Sequence, residues 1–236
     1  MDQQKKTEQP VLKICGIMTV GDTLHCLRRG VPYVGFNFYP GSKRFIQPET
    51  AAEVWRQALA SSKLRVGTQP VAVVVDTDKD ADIHTLEAAI RVFPELQVVQ
   101  VHECKQPGRL RAYRQVLGGR PLWVALAVRR PEDVDAAMAY QGSADLLLFD
   151  SAVVAAGSKV PGGSGQSFDW PLLKSYMGSL PFGVAGGLRP ENVADLARTV
   201  VPALVDLCSG VESQPGIKDL DLIDTMITKM SQLWAK

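Results

Sequence analysis

Val184-Ala185-Gly186-Gly187-Leu188-Arg189-Pro190-Glu191-Asn192-Val193 reads as the end of a strand, a glycine turn and the opening of a helix. The apolar run Phe182 to Ala185 stops at two glycines. Beyond Pro190, residues Val193, Leu196, Ala197 and Val200 recur at helical spacing on one face. Glycines let backbone N–H groups come close to an anion, and a helix N-terminus adds further N–H groups and a positive dipole end. A phosphate fits such a turn. An isolated Gly-Gly is more often a plain βα turn, but this unit is seventh in a series of eight, where barrel folds commonly hold phosphate.

The series emerges on working outward. Short β-branched runs at Leu12 to Cys15, Tyr33 to Asn37, Val71 to Val75, Val98 to Val101, Leu122 to Ala127, Leu146 to Phe149, Phe182 to Ala185 and Leu204 to Leu207 read as strands. Helical spacing falls at Val20 to Arg29, Pro48 to Ala60, Ala81 to Val92, Gly108 to Leu117, Pro131 to Tyr140, Trp170 to Tyr176, Pro190 to Thr199 and Asp219 to Trp234. Strands this apolar are covered on both faces, as parallel strands under helices are. Eight βα units in one chain predict an α/β fold, a single (β/α)8 TIM barrel spanning residues 10 to 236. An open doubly wound sheet is the runner-up. It lacks its dinucleotide signature, because Cys15-Gly16-Ile17-Met18-Thr19 stands where a Gly-x-Gly-x-x-Gly would follow the first strand.

Composition agrees with one domain. The chain has 236 residues, 46% hydrophobic and 22% charged, enough to bury a large core. Lysine and arginine (26) nearly balance aspartate and glutamate (25), so a net charge of +1 recommends neither nucleic acid nor an anionic membrane as a partner. No apolar run is long enough to span a bilayer, and residues 1 to 9 read as a polar extension unlike a signal peptide. A cytoplasmic protein is expected, with monomer and homodimer both open. Cys15, Cys26, Cys104 and Cys208 are scattered and suggest neither a disulfide framework nor a metal site.

In a barrel the active face is built at the C-terminal ends of the strands. Polar residues there are Cys15, Arg44, His102, Asp150, Asp206 and Ser209-Gly210, all expected at one mouth. The loop Phe38 to Gln47 sets Lys43 and Arg44 beside aromatic residues, either as a carboxylate grip or as a solvated basic turn. The loop Ser151 to Ser167, with Pro161-Gly162-Gly163-Ser164-Gly165, reads as a mobile lid. A thiol at Cys15 can serve as a base once nearby positive charge lowers its pKa; a small buried hydrophobe is the plainer alternative. Asp150, at the end of the apolar run Leu146 to Phe149, can hold a proton as an acid or cap backbone N–H groups of the next loop. An acid and a base together suggest proton shuffling.

Seven segments then line up in order. They are Lys13-Ile14-Cys15-Gly16, Phe36-Asn37-Phe38-Tyr39-Pro40 with Ser42-Lys43-Arg44, Val99-Gln100-Val101-His102, Leu147-Leu148-Phe149-Asp150-Ser151, Gly162-Gly163-Ser164-Gly165 with Phe168-Asp169-Trp170, Ala185-Gly186-Gly187-Leu188 with Pro190-Glu191-Asn192-Val193, and Ser209-Gly210-Val211-Glu212 with Pro215-Gly216 and Lys218-Asp219. Together they resemble the phosphoribosylanthranilate isomerase family over nearly the whole chain. The resemblance implies a cofactor-free, metal-free Amadori rearrangement of N-(5-phosphoribosyl)anthranilate in tryptophan biosynthesis. It implies Asp150 as general acid, Cys15 as general base and Arg44 on the anthranilate carboxylate. It implies His102 and Asp206 as substrate-orienting groups, and Gly186, Gly187, Ser209 and Gly210 as the phosphate grip. Two positions depart from the family's pattern: Cys208 precedes Ser209 where a serine is common, and Glu103 follows His102 where glycine is common. An isomerase of another aminated phosphosugar and a non-catalytic phosphosugar-binding barrel are the alternatives.

Overall fold

A computed structural model describes residues 9–62, 67–151 and 169–235. Eight parallel strands close on themselves in sequence order. They are β1 (Val11–Cys15), β2 (Tyr33–Asn37), β3 (Gln69–Val75), β4 (Val98–His102), β5 (Leu122–Val128), β6 (Leu146–Ser151), β7 (Phe182–Val184) and β8 (Leu204–Leu207). Closure is made by β8 on β1, with Lys13 opposite Asp206 and Ile14 opposite Leu207. The closed barrel is the predicted one; the open sheet is excluded.

Around the barrel lie α1 (Val20–Arg28), α2 (Pro48–Ser61), α3 (Asp80–Val92), α4 (Leu110–Val116), α5 (Pro131–Ala136), α6 (Val193–Thr199) and α7 (Leu220–Leu233). Local chemistry sets their starts. The Thr19 hydroxyl accepts from the Asp22 N–H to cap α1, Pro48 opens α2, and the Asp219 carboxylate caps α7 through the N–H groups of Asp221 and Leu222. Three expected helices are shorter or tighter than their sequence spacing. Trp170–Ser175 is a 3-10 helix, Ala137–Tyr140 finishes α5 as one, and Pro107–Arg109 precedes α4 as one. Pro190 lies in a turn, and α6 starts only at Val193, because the Asn192 side chain holds the residues before it in a loop. A hairpin of β9 (Glu212–Gln214) and β10 (Ile217–Lys218) follows β8, an element the periodicity did not predict.

The strands carry two cores. Leu12, Ile14, Val34, Phe36, Val99, Val101, Leu147 and Phe149 pack outward under the helices. Val71, Val73, Val98, Trp123, Ala125, Leu146, Leu148 and Leu204 fill the interior, where the Tyr33 and Trp123 rings meet edge to face at 4.8 Å. The alternation of two follows the pleat. Hydropathy alone does not display it, because both faces are apolar over most of each strand. Among the described residues, no helix is long and apolar enough to cross a membrane.

Candidate active site

Within the barrel, polar side chains break the apolar filling at Lys13, Gln100 and Asp206, all buried. Two residues further along β1 and β4 stand Cys15 and His102, and β6 contributes Asp150. One pocket at this end is lined by Cys15, Arg44, His102, Asp150, Gly186, Gly187, Asp206, Ser209 and Gly210, so every residue singled out in the sequence reaches the same cavity. Asn37, Ser42, Gln100 and Cys208 also line it.

Lys13 was quoted in a motif but given no role. Its ammonium lies 2.8 Å from Asp206 Oδ2, and its side chain is wholly buried. Burial works against the charge, but the negative partners Asp206 and Cys15 outweigh it and hold Lys13 protonated. A methyl group built on Gly35 would meet Cys15 Sγ at 3.0 Å and Lys13 Nζ at 3.2 Å, so the glycine leaves room for thiol and ammonium side by side. The neighbouring Cys208 thiol and the Lys13 charge overcome burial and bring the Cys15 thiol well below its ordinary pKa. Cys15 is at the same time buried at the edge of the interior apolar cluster.

Asp150 is the complementary group. It lies within β6, opposite Ala127, and the strand runs two residues further than expected, to Ser151. Burial pushes its carboxyl up to about 6, against the pull of the Ser151 N–H. Behind it, a Cβ on Gly186 would fall 2.4 Å from Asp150 Oδ1 and 2.4 Å from the Ser151 nitrogen; Gly186 also has φ +77°, so position 186 has room for glycine alone.

Asp206 and His102 line the same pocket. Burial raises the Asp206 carboxyl to about 7 despite Lys13, and its buried Oδ1 has no hydrogen-bond partner among the described residues. His102 is driven down to about 4 by burial and is neutral at physiological pH. The Gln100 amide nitrogen lies 2.7 Å from its Nε2, which therefore accepts, leaving the proton on Nδ1.

Arg44 is buried rather than solvated. Its Nε and Nη2 reach Glu212 at 3.2 and 2.6 Å, and Lys218 Nζ meets the same carboxylate at 2.8 Å. Burial opposes the ionised Glu212, but the two cations prevail and hold it below the usual carboxylate range. Two of the five guanidinium donors are thus committed, and the others remain for a ligand at the pocket. The sequence reading missed Glu212 and Lys218 as supports because they lie on the unpredicted hairpin.

The two turns expected to grip phosphate pack on each other. Gly186 and Gly187 have φ of +77° and +63°, and a Cβ at Gly210 would collide with the Leu188 carbonyl oxygen at 1.8 Å. Asn192 Nδ2 donates to the Gly187 carbonyl while its Oδ1 accepts from the Arg189 N–H, which clamps the first turn. Glu103 lines the two neighbouring cavities with Lys105 and not this one, and its charge is a minor contributor to the raised Asp150 carboxyl. It adopts φ +58°, a conformation a glycine takes freely. All but the first residue of the expected lid lies outside the described residues, as do residues 1 to 8 of the polar extension.

Residues 12–229 match the family model for N-(5'-phosphoribosyl)anthranilate (PRA) isomerase. The chain is 37% identical over 228 residues, 97% of each chain, to the N-(5'-phosphoribosyl)anthranilate isomerase of Agrobacterium fabrum. It is 37% identical to the Sinorhizobium fredii protein of the same name, covering 90% of this chain and 89% of that one. Among solved structures it is similar to phosphoribosyl anthranilate isomerase from Thermotoga maritima, with a TM-score of 0.77 and 29% identity over 94% of this chain and 99% of that one. A crystal structure of phosphoribosyl anthranilate isomerase in complex with reduced 1-(o-carboxyphenylamino)-1-deoxyribulose 5-phosphate aligns at a TM-score of 0.75 and 29% identity, with 94% and 99% of the two chains covered.

Proposed function

The chain belongs to the N-(5'-phosphoribosyl)anthranilate isomerase family, and from that premise we propose that it catalyses the Amadori rearrangement of N-(5-phosphoribosyl)anthranilate to 1-(2-carboxyphenylamino)-1-deoxyribulose 5-phosphate, a step of tryptophan biosynthesis. The observation that carries the reading is the pairing, in one pocket, of a carboxyl raised to about 6 with a thiol lowered beside an ammonium. Two titratable groups whose surroundings push them in opposite directions divide the acid and base roles between them.

Asp150 gives its proton to the furanose ring oxygen. The bond from that oxygen to C1′ breaks, and the nitrogen lone pair forms an iminium. The Cys15 thiolate then removes the C2′ proton, becoming a thiol, and the electrons released neutralise the iminium to an enolamine. Tautomerisation to the ketone completes the isomerisation. Lys13 keeps the thiolate form of Cys15 accessible before proton transfer. Asp206 Oδ1 is an acceptor for a sugar hydroxyl, and Arg44 offers its uncommitted donors to the anthranilate carboxylate. The glycine turns at Gly186-Gly187 and Ser209-Gly210 receive the phosphate. The catalytic unit in this reading is the barrel of residues 10–236, active as a monomer or a homodimer.

The test is loss of substrate fluorescence, with phosphoribosylanthranilate generated in place from anthranilate and phosphoribosyl pyrophosphate by a transferase. Wild type consumes it rapidly, whereas Asp150→Asn stays near background and Cys15→Ser loses about 10²-fold or more in kcat with little change in KM. A folded wild type that binds a phosphosugar without turnover overturns the reading in favour of a binding barrel.

A further inference from the structure

Cys15 and Cys208 are 193 positions apart in the chain but adjacent in the barrel. In the β1–β8 register Ile14 stands opposite Leu207, and the next step brings Cys15 against Cys208 where β8 ends. Neighbouring strands lie about 4.8 Å apart, within the Cα separations of roughly 4.4–6.8 Å that a disulfide spans. The side chains do converge: Cys208 packs against the interior cluster that holds Cys15, and both line the same pocket, with the Cys208 thiol also 3.9 Å from Glu212 Oε1. A Cβ on Gly16 would meet Cys208 Sγ at 3.1 Å, so the glycine between the two strand ends leaves the second sulfur its space.

We propose that Cys15 and Cys208 form a reversible intramolecular disulfide that switches this site off under oxidising conditions. The consequence for turnover rests on Cys15 being the base; the bond itself does not. With hydrogen peroxide as oxidant, the Cys15 thiolate attacks one oxygen, and the O–O bond breaks to leave a sulfenic acid and hydroxide. The Cys208 sulfur then attacks the Cys15 sulfur, the S–S bond forms, and the sulfenic oxygen leaves as water with the Cys208 proton. Two thiols are oxidised and one peroxide is reduced to two waters. The other thiols are poorly placed to compete. Cys26 and Cys104 lie outside the pocket that Cys15 and Cys208 share, and burial pushes both up to about 12. A disulfide consumes the base and fills the space beside Lys13. Cys208 in turn protects Cys15 from irreversible over-oxidation by capturing the sulfenic acid first.

The test uses the reduced full chain, treated with hydrogen peroxide and digested without reductant. Mass spectrometry is expected to find the Cys15 peptide joined to the Cys208 peptide, and dithiothreitol to restore free thiols and the starting activity. In Cys208→Ser, each sample being compared with its own reduced activity, the same treatment is expected to carry Cys15 on to the sulfinic acid, with a loss that dithiothreitol does not reverse. A joined peptide in a protein without isomerase turnover supports the switch and sinks the proposed reaction. Absence of the joined peptide, or dithiothreitol-reversible loss of equal extent in Cys208→Ser, overturns the switch whatever the reaction is.

Discussion

Asp150 shows at the scale of one residue how a site can cost stability. Its folded-state pKa, about 6, lies above the ordinary 3.8, so the folded protein holds this proton more tightly than the unfolded chain does. The contribution is fully present below pH 3.8 and is lost as pH rises through about 6. At pH 7 the ionised carboxylate is therefore a burden. Asp150→Asn is expected to stabilise the fold there by about 1–3 kcal/mol, and the gain should vanish near pH 4. Urea denaturation at the two pH values checks it; equal or lower stability of the variant at pH 7 would show that the carboxylate is better solvated than its surroundings imply. The same ionisation sets the alkaline limb of kcat/KM, which is expected to fall as pH rises above about 6 while the acid limb follows protonation of Cys15.

The strand-to-helix turns carry the site at the scale of the element. In the turn after β7, Gly186 makes room for Asp150 and Ser151, and Asn192 clamps the backbone. In the turn after β8, Gly210 rests on the Leu188 carbonyl of the preceding turn. A side chain at position 210 must push the two turns apart. Gly210→Ala is expected to destabilise the fold by about 2 kcal/mol or more, and to raise KM by roughly tenfold or more with a smaller change in kcat, since binding rather than proton transfer is disturbed. Thermal melts and steady-state kinetics measure both. A normal KM would remove this contact from the phosphate grip. The β9–β10 hairpin has a comparable structural duty, bringing Glu212 and Lys218 under Arg44.

For the whole molecule, one interior ion pair sits both on the seam that closes the barrel and beneath the site. Lys13 and Asp206 face each other across the β1–β8 seam, the contact between the first and last strands. Removing Asp206 leaves the buried Lys13 ammonium unpaired, so Asp206→Leu is expected to cost about 3–5 kcal/mol, and Asp206→Leu with Lys13→Met to recover most of it. Equilibrium denaturation of the single and double variants decides. A double variant as unstable as the single one would place the loss in packing rather than in charge.

Much of this architecture can be read without coordinates. The eight β-branched runs and the glycines that punctuate them lead to the closed barrel, because a parallel strand must be apolar on both faces and must end where its helix connection begins. Cys15, Arg44, His102, Asp150 and Asp206 stand out because polar groups at such strand ends break an apolar pattern. Periodicity could not show that Trp170–Ser175 is a 3-10 helix or that Pro190 precedes its helix, since local hydrogen bonds decide those boundaries. Nor could it pair Lys13 with Asp206, Arg44 with Glu212, or Cys15 with Cys208. Those contacts join opposite ends of the chain, and only closure of the first strand on the last brings them together. The amino-acid sequence by itself determined the fold class and the polar residues at the mouth. The tertiary structure decided which charges are buried together, and with them which thiol is lowered and which carboxyl is raised.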